Sequence, residues 1–345
     1  MDDGFYMRRC VELARKAIGF TSPNPMVGCV IVKDGEIVGE GFHPKAGQPH
    51  AEVFALREAG NLAENATAYV SLEPCNHHGR TPPCTEALIR AKVKQVVVGM
   101  VDPNPIVASK GVERLKESGI DVVVGVEELL CQKLNEAYIH RMRTGNPFVV
   151  LRYSLTMNGR ISSHLGKAAH EPGGYYSKLL QEYDGILVSG DCLSRTTSAE
   201  TGANQPLQII IANNMNSLHL PITTIESASR VVIISDKEIE VKPSSEKVET
   251  MVIKPLKLKT ILDHCRYLGL CSIVVDLREE HGAITEVLGG CLEEGLVQKA
   301  VVEVCPVWDE SREEYLPSVG VETRILKDLR SYVTNGSVLI EGYVS

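Results

Sequence analysis

Four residues of the sequence have the types and the spacing of a catalytic zinc site: His50, Glu52, Cys75 and Cys84. A catalytic zinc ion typically takes three protein ligands and keeps a fourth position for water. One imidazole and two thiolates supply those ligands, and the two anionic sulfurs also neutralise the dication. A carboxylate that is not a ligand can then carry protons to and from the water. We therefore predict that His50, Cys75 and Cys84 bind zinc and that Glu52 is the catalytic acid and base.

The order of these residues matches the signature of zinc-dependent nucleobase and nucleoside deaminases, His-x-Glu followed by Pro-Cys and a further cysteine. The first part is His50-Ala51-Glu52, and the second starts at Pro74-Cys75. The usual second part is Cys-x-x-Cys, whereas eight residues lie between Cys75 and Cys84 here. This longer spacing restricts the set of deaminase families that the sequence can match. A lone histidine in a loop is usually solvated and two cysteines are usually buried thiols, but the complete ordered set favours zinc.

Apolar strands that alternate with helical segments surround this set. His50 and Glu52 fall at the start of one helix and Cys84 at the start of another, and helix N-termini favour thiolates. A spacing of i and i+2 points two side chains in different directions, which suits one ligand and one proton carrier. The pattern predicts helices at residues 5–18, 51–59, 84–92, 110–118 and 126–142 and strands at Met26–Val32, Glu36–Glu40, Thr67–Leu72, Gln95–Val101 and Ile120–Val124.

A turn cluster at Thr144-Gly145-Asn146-Pro147 is the predicted boundary between domains at residues 1–146 and 147–345. Both halves alternate strands with helices, so we predict an α/β fold class, with a largely parallel sheet after the opening hairpin. Residues 190–205 and 213–229 are polar and show no periodicity. The clearest strands of the second half are Phe148–Tyr153, Gly185–Val188, Leu207–Ala212, Arg230–Ile234, Cys271–Asp276 and Ala300–Val304.

The composition disfavours several classes of protein. The chain has 345 residues, and its 43% hydrophobic and 23% charged residues are typical of a globular protein. The 36 Lys and Arg against 44 Asp and Glu give a net charge of −8, and 5% of residues are aromatic, which disfavours a nucleic-acid base as substrate. No apolar run approaches the roughly 18 residues that cross a bilayer. Cysteines inside apolar runs, such as Cys29, indicate buried thiols in a reducing compartment.

Six segments between residues 20 and 145 form a specific set of motifs: Ser22-Pro23-Asn24-Pro25-Met26-Val27-Gly28, Gly41-Phe42-His43, Ala46-Gly47-Gln48-Pro49-His50-Ala51-Glu52, Leu72-Glu73-Pro74-Cys75-Asn76-His77, Gly79-Arg80-Thr81-Pro82-Pro83-Cys84 and Asp102-Pro103-Asn104-Pro105. By these motifs, residues 20–145 resemble the deaminase half of the riboflavin-biosynthesis pyrimidine deaminase/reductase family. Within that family, the sequence is most similar to the plant plastid enzymes that perform only the deamination. The resemblance implies a cytidine-deaminase-like three-layer α/β/α first domain and a second α/β domain like a degenerate, dihydrofolate-reductase-like riboflavin-pathway reductase.

The reaction that this resemblance implies is the hydrolytic deamination of 2,5-diamino-6-ribosylamino-4(3H)-pyrimidinone 5′-phosphate. The products are 5-amino-6-ribosylaminouracil 5′-phosphate and ammonia. Zinc lowers the pKa of its water toward about 7, so hydroxide is available to attack C2 of the ring. Glu52 takes the water proton, protonates the adjacent ring nitrogen and assists the departure of ammonia. One zinc ion per chain is the expected cofactor.

The resemblance also implies substrate contacts at Asn24, His43, His77, Arg80, Asp102 and Asn104. The amide of Asn24 carries both a donor and an acceptor, which suits a pyrimidine edge. Arg80 is the expected phosphate ligand, because a guanidinium can bind phosphate with two hydrogen bonds, although the family often has lysine at this position. Asp102 and Asn104 each precede a proline, so turn formation is an equally good interpretation of these two residues.

Residues 147–345 resemble the reductase half of the family more weakly. Arg152 stands where the family has lysine, and Asn158 stands where it has aspartate. Val275-Asp276-Leu277-Arg278 replaces a Glu-Gly-Gly segment that would let the backbone approach cofactor phosphates. No Gly-x-Gly-x-x-Gly follows a strand in this half. We therefore expect a catalytically inactive domain that binds no NADPH and serves stability or assembly.

The expected partners are the phosphorylated pyrimidine and a second copy of the chain, with no nucleic acid and no membrane. The start of the sequence has no secretory signal. The plant resemblance implies the plastid stroma, with a transit peptide already removed, and the cytoplasm is the expectation otherwise. Two alternatives stay open: a bifunctional enzyme that also uses NADPH, and a structural zinc domain without turnover. Structural zinc usually takes four protein ligands, so three ligands beside Glu52 argue against the second.

Overall fold

The computed structural model of the chain divides into two compact units, Met1–Gly145 and Asn146–Ser345. The division falls one residue before the boundary that the turn cluster predicts. Among the residues that the structure describes, no helix is both long enough and apolar enough to cross a bilayer. The described residues are 2–77, 82–162, 166, 169, 173–195, 205–278, 283–289, 291–292, 294–309, 325–334 and 336–344.

The first unit is an α/β structure with one open sheet. Its helices are α1 (Asp3–Arg15), α2 (Ala51–Ala59), α3 (Cys84–Arg90), α4 (Lys110–Glu117), α5 (Glu128–Leu134) and α6 (Glu136–Thr144), and its strands are β1 (Gly28–Lys33), β2 (Glu36–Phe42), β3 (Thr67–Leu72), β4 (Gln95–Met100) and β5 (Asp121–Val124). The strand order is β2-β1-β3-β4-β5. β1 is antiparallel to both of its neighbours, and β3, β4 and β5 are parallel, as predicted.

The opening hairpin forms at the predicted turn. Asp34 has φ of 52° and Gly35 has φ of 84°. Two consecutive residues with positive φ match the right-handed twist of the flanking strands, and aspartate and glycine adopt this conformation readily. The dipeptide therefore fixes the register in which β1 and β2 pair.

Helices α1 and α2 lie on opposite faces of this sheet. A Cβ on Gly28 would lie 1.9 Å from the carbonyl oxygen of Cys10 in α1, and a Cβ on Gly41 would lie 2.3 Å from that of Ala51 in α2. Gly41 pairs with Cys29, so these two residues share a face, and Gly28, next to Cys29 in the strand, points to the other. The sheet therefore has helices on both sides, and glycine lets each helix approach it closely.

The carboxyl ends of β3 and β4 meet at one edge of the sheet, because the two strands are parallel neighbours. Cys75 follows β3 and Asp102 follows β4 at this edge. Ligands of open α/β sheets generally bind outside the carboxyl ends of the strands. The topology therefore brings two separate parts of the predicted site together.

The predicted helix at 126–142 is wrong in one respect, because the structure has two helices with a break at Asn135. Asn135 has φ of −119° and lies between α5 and α6. Its side-chain oxygen accepts a hydrogen bond from the N–H of Met26 (2.8 Å), and its side-chain nitrogen donates to the Met26 carbonyl (2.9 Å). Helical periodicity cannot reveal this long-range pairing, which stabilises the break.

The second unit is built on a larger sheet. Its strands are β6 (Phe148–Leu155), β7 (Ile161–Ser162), β8 (Gly185–Ser189), β9 (Leu207–Ile211), β10 (Ser217–His219), β11 (Val231–Ser235), β12 (Glu240–Lys242), β13 (Val248–Val252), β14 (Ser272–Leu277), β15 (Lys299–Val304), β16 (Leu326–Thr334) and β17 (Ser337–Val344), and its helices are α7 (Tyr175–Glu182), α8 (Ile222–Ser227), α9 (Leu258–Tyr267) and α10 (Ala283–Leu288). The strand order of the large sheet is β13-β11-β9-β8-β14-β6-β15-β17-β16, with β7 beside β6.

All the clear strands predicted in this half form, with ends shifted by one or two residues. The pairings from β13 to β15 are parallel, and β17 and β16 continue the sheet with antiparallel pairings. The segment 213–229, predicted to be irregular, contains the short elements β10 and α8, which are too brief to show a period. Of the segment 190–205, residues 196–204 lie outside the described residues.

Candidate metal centre and active site

The side chains of His50, Cys75 and Cys84 converge on one point. The Nδ1 atom of His50 lies 3.5 Å from Sγ of Cys75 and 3.3 Å from Sγ of Cys84. All three ligand atoms lie within 4.8 Å of one another. A tetrahedral zinc with ordinary Zn–N and Zn–S bonds would separate nitrogen and sulfur by about 3.6 Å. The donor set and its spacing therefore fit a single zinc ion.

Helix N-termini place these residues, as predicted. His50 is the N-cap residue of α2, and Cys84 is the first residue of α3. The backbone N–H of Cys84 points at Sγ of Cys75 over 3.4 Å. A hydrogen bond from the Cys84 thiol lowers the pKa of Cys75 to about 4, against the opposite effect of burial. A thiolate is the form of cysteine that binds metals, so the lowered pKa favours the form of Cys75 that a metal ligand requires.

Glu52 lies in the first turn of α2, and only 3% of it is exposed. Among the described residues, its Oε2 atom has no hydrogen-bond partner. Burial, with a smaller contribution from Cys75, raises the pKa of this carboxyl to about 7. A buried carboxyl normally needs a partner, and a pKa near 7 suits a group that accepts and returns a proton. These properties are those of a catalytic acid and base.

A cavity of about 190 Å³ adjoins these groups. Four of the six predicted substrate residues line the cavity, together with two of the three predicted zinc ligands and Glu52. Five further residues complete the lining, and we did not predict a role for any of them. The predicted residues in the lining are Asn24, His43, His77 and Asp102 beside His50, Glu52 and Cys75, and the others are Pro25, Val27, Leu72, Glu73 and Tyr138.

Asn104 and Arg80 differ from the other predicted substrate residues. Asn104 is not among the described residues that line the cavity. Its side-chain oxygen accepts a hydrogen bond from the N–H of Ile106, and its own N–H donates to Asp102 Oδ1 over 2.9 Å. Asn104 therefore has the contacts of a turn residue, which was the alternative interpretation. Arg80 lies outside the described residues.

His43 orients the amide of Asn24. Its Nδ1 lies 3.1 Å from the carbonyl oxygen of Pro49, so Nδ1 must donate the hydrogen there. Burial lowers the pKa of His43, which leaves its Nε2 as an acceptor for the Asn24 Nδ2 donor at 3.2 Å. Both ring nitrogens of His43 are therefore occupied within the protein. The carbonyl of Asn24 is left to accept hydrogen bonds, and the second hydrogen of its amide nitrogen is left to donate.

Sequence reasoning missed two residues, Glu73 and Asn135, that form hydrogen bonds with residues far away in the chain. Glu73 accepts backbone hydrogen bonds from the segment after β4, and Asn135 pairs with the backbone of Met26, two residues from Asn24. Tyr138 of α6 lines the cavity. Glu73 is part of the motif Leu72-Glu73-Pro74-Cys75, and that context was the one signal that could have marked it.

The second unit has a buried ion network where β6, β14 and β15 run side by side. Arg152 contacts Asp276 (3.0 Å) and Glu303 (2.9 Å), and Arg278 contacts Asp276 (2.6 Å). The hydroxyl of Tyr176 donates to Asp276 over 2.6 Å. All four charged side chains are buried. Two cations balance two anions in this network, and their side chains fill the space beside β14.

Known proteins are similar to this chain in both sequence and fold. Residues 1–100 match the family model of the cytidine and deoxycytidylate deaminase zinc-binding region. The chain is 60% identical to the chloroplastic riboflavin biosynthesis protein PYRD of Zea mays, over 100% of this chain and 88% of that protein. The structure of RibD from Acinetobacter baumannii, form 2, has a TM-score of 0.81 at 33% identity and covers 99% of both chains.

A second solved structure has a similar agreement over 99% of both chains, with a TM-score of 0.84 at 29% identity. It is a diaminohydroxyphosphoribosylaminopyrimidine deaminase/5-amino-6-(5-phosphoribosylamino)uracil reductase from Thermotoga maritima. Fold and site together define a zinc-dependent deaminase with a cytidine-deaminase-like first unit and a reductase-like second unit. The predicted fold class is thereby confirmed. The chain belongs to the RibD/PYRD family of riboflavin biosynthesis proteins.

Proposed function

We propose that the chain deaminates 2,5-diamino-6-ribosylamino-4(3H)-pyrimidinone 5′-phosphate by hydrolysis. The C2–amine bond breaks, water supplies the new carbonyl oxygen, and ammonia leaves. One observation carries the proposal: His50, Cys75 and Cys84 meet at a cavity that is also lined by the buried carboxyl of Glu52. The name of the similar Thermotoga maritima protein supports the substrate.

In this proposal His50, Cys75 and Cys84 hold the zinc ion, and Glu52 moves the protons. Zinc held by such ligands lowers the pKa of water toward about 7 and so supplies hydroxide near neutral pH. Glu52 accepts the proton of the water, passes it to the ring nitrogen next to C2, and then assists the departing amine. Its raised pKa fits this cycle, because the group must exist in both forms during turnover.

The remaining cavity residues hold the substrate. Asn24, oriented by His43, presents an acceptor and a donor that match the N–H and C=O of the ring lactam. His77 and Asp102 line the same cavity and are the proposed contacts for the ribose. Arg80, with Asn104, is proposed for the phosphate on the resemblance alone.

The test of the proposed function combines metal analysis with an ammonia assay. We expect about one zinc ion per chain and release of one ammonia per molecule of the diaminopyrimidinone phosphate consumed. A nucleic-acid base in single-stranded DNA, supplied as the control substrate, should release none. Bound zinc without ammonia release would support the alternative of a structural zinc domain and would reject the proposal.

The second unit is proposed to use no NADPH. The buried side chains of Asp276 and Arg278 occupy the end of β14, where the resemblance places glycine backbone that approaches cofactor phosphates. Arg278 contacts Asp276 and Tyr176 in that space, so the residues present do not fit the cofactor. These contacts support the proposal that the second unit does not act as a reductase, against the bifunctional alternative.

We expect the full-length protein, given NADPH and the deaminated product, to oxidise NADPH at the rate of the buffer blank. The absorbance of NADPH at 340 nm measures this directly. The bifunctional Thermotoga maritima relative is the positive control, since its name includes the reductase. Substrate-dependent oxidation above the blank by this protein would restore the bifunctional alternative.

We further propose that the chain forms a homodimer and works in the plastid stroma. The plastid is supported by the chloroplastic relative from Zea mays. The dimer is supported by β16, which ends the strand order of the large sheet and exposes Leu329 (61%) and Val333 (79%). A strand at the edge of a sheet presents unpaired backbone N–H and C=O groups that can pair with another chain.

Light scattering should therefore give twice the mass of the chain, and Leu329→Glu should shift the protein toward a single chain. A charge on this edge opposes strand pairing between copies. Ile222→Glu, at an exposed apolar position of α8, is the matched control and should leave the mass unchanged. A wild-type mass equal to one chain would refute the dimer.

A further inference from the structure

Glu73 makes an unusual set of contacts for a carboxylate beside a metal-binding turn. It follows β3, and 6% of it is exposed. Its Oε1 atom accepts hydrogen bonds from the N–H groups of Gly111 (2.8 Å) and Val112 (3.1 Å). Its Oε2 atom accepts from those of Asp102 (3.1 Å) and Ser109 (3.0 Å). A carboxylate offers about four acceptor positions, and four backbone donors occupy those of Glu73.

Two of these donors belong to the first turn of α4, whose N–H groups have no partner within the helix. The N-cap residue Ser109 has φ of 64° and makes no side-chain capping bond. Glu73, which follows β3, caps α4 instead of Ser109. Its negative charge also interacts favourably with the positive end of the helix dipole. A Cβ on Gly111 would lie 2.1 Å from the carbonyl oxygen of Pro74, so glycine is needed for this close approach.

The same oxygen of Glu73 holds both ends of the segment 102–109. This segment leaves β4, turns through residues 103–108 and enters α4. Asp102, at its start, lines the cavity, and Asp102 Oδ1 accepts the N–H of Asn104. Glu73 lies two positions before Cys75 and thereby connects the turn that carries Cys75 to the segment 102–109. The position of Asp102 in the cavity therefore depends on Glu73.

We propose that Glu73 is a positioning residue that holds Asp102 in place for the substrate and does not touch the reacting atoms. This inference rests on the proposed function, because it assigns Asp102 a substrate contact. The four backbone N–H groups occupy all the acceptor positions of the Glu73 carboxylate, so Glu73 has none left for a hydrogen bond from the substrate. Its effect on the reaction passes through the segment 102–109, which carries no zinc ligand.

Glu73→Gln keeps the shape of the side chain and replaces one oxygen with an amide nitrogen that cannot accept. Two backbone N–H groups then lose their partner. If the nitrogen takes the place of Oε2, both ends of the segment 102–109 are released, and if it takes the place of Oε1, the first turn of α4 that follows the segment is released. We expect KM in the ammonia assay to rise by about 10- to 100-fold, which is the loss of a hydrogen bond to a charged group. We expect kcat to change by less than about threefold and zinc content to stay the same, because no residue that the reaction contacts has been removed.

Glu86→Gln is the matched control. Glu86 of α3 also contacts α4, through an ion pair with Arg114 at 2.8 Å, but it does not contact the segment 102–109. This variant should keep the KM of the wild type. In an Asp102→Ala background, Glu73→Gln should raise KM by less than about threefold, because the residue through which it acts is already gone.

Amide hydrogen exchange of residues 102–112 separates this inference from the proposed function. Exchange in this segment should become faster in Glu73→Gln whether or not the wild type releases ammonia. A wild type without ammonia release defeats the proposed function alone. Unchanged exchange, an effect on KM that adds fully to that of Asp102→Ala, or loss of zinc or of the folded state in Glu73→Gln would overturn the role of Glu73.

Discussion

Replacing Glu52 with glutamine is expected to reduce kcat for ammonia release by about 10³- to 10⁴-fold while zinc content stays at the wild-type level. Glutamine has nearly the same size and keeps the packing of α2, but it cannot accept and return a proton. The buried Oε2 atom of Glu52 has no hydrogen-bond partner among the described residues, so the substitution breaks no hydrogen bond at that atom. The measurement is steady-state ammonia release together with zinc analysis of the same sample.

Two variants make this result specific. Glu58→Gln changes a second glutamate of the same helix, which accepts the N–H of Glu40 at the surface, and it should retain full activity. Cys84→Ala removes a proposed ligand and should lose zinc and activity together. If Glu52→Gln also lost zinc, the division between a histidine–cysteine metal site and a separate proton carrier would be wrong.

Replacing Asp276 with asparagine is expected to lower the free energy of unfolding of the second unit by about 3–5 kcal/mol. Asp276 receives hydrogen bonds from Arg152, Arg278 and Tyr176, and all four side chains are buried. Among the described residues, asparagine removes the carboxylate that both guanidinium groups share and leaves that of Glu303. An uncompensated charge in the interior costs more than the lost hydrogen bonds alone.

The pH dependence of this effect has a defined sign. Burial by itself would raise the pKa of Asp276, but Arg152 and Arg278 outweigh it and hold the pKa below its ordinary value. The unfolded chain therefore binds the proton first, so this stabilisation is complete above about pH 4 and is lost as the pH falls through the lowered pKa. The difference in the free energy of unfolding between the wild type and Asp276→Asn should therefore become smaller as the pH falls below about 4.

Urea unfolding followed by circular dichroism at pH 7 and at lower pH measures both expectations. Asp263→Asn, at an exposed aspartate of α9 in the same unit, is the control and should change the unfolding free energy by less than about 0.5 kcal/mol. An Asp276→Asn protein as stable as the wild type at pH 7 would show that the buried network contributes nothing to the second unit.

Local chemistry made much of the first unit predictable. The dipeptide Asp34-Gly35 can adopt positive φ at both positions, so it marks the hairpin without reference to the rest of the chain. β3 is buried along its whole length because helices cover both faces of the sheet, and its ends match the prediction. The alternation of apolar strands and helical segments placed His50 and Cys84 at helix N-termini, and both lie there.

The same approach failed where a contact joined distant parts of the chain. Asn135 splits a helix because it pairs with Met26, and nothing in the residues around Asn135 indicates that partner. Arg278 was noted as part of the segment that replaces glycine, but its local sequence does not indicate that its side chain is buried against Asp276. Glu73 looked like one residue of a motif, and its four donors come from a segment about 30 to 40 positions later.

The sequence by itself determined the donor set, the α/β order of elements and the class of reaction, because these depend on residue types and on short-range backbone preferences. The tertiary structure alone decided that the three donor atoms lie within 4.8 Å of one another, that Glu52 is buried, and which residues line the cavity. Those properties arise from parallel strands that end at one edge of a sheet and from burial, and both depend on residues far apart in the chain.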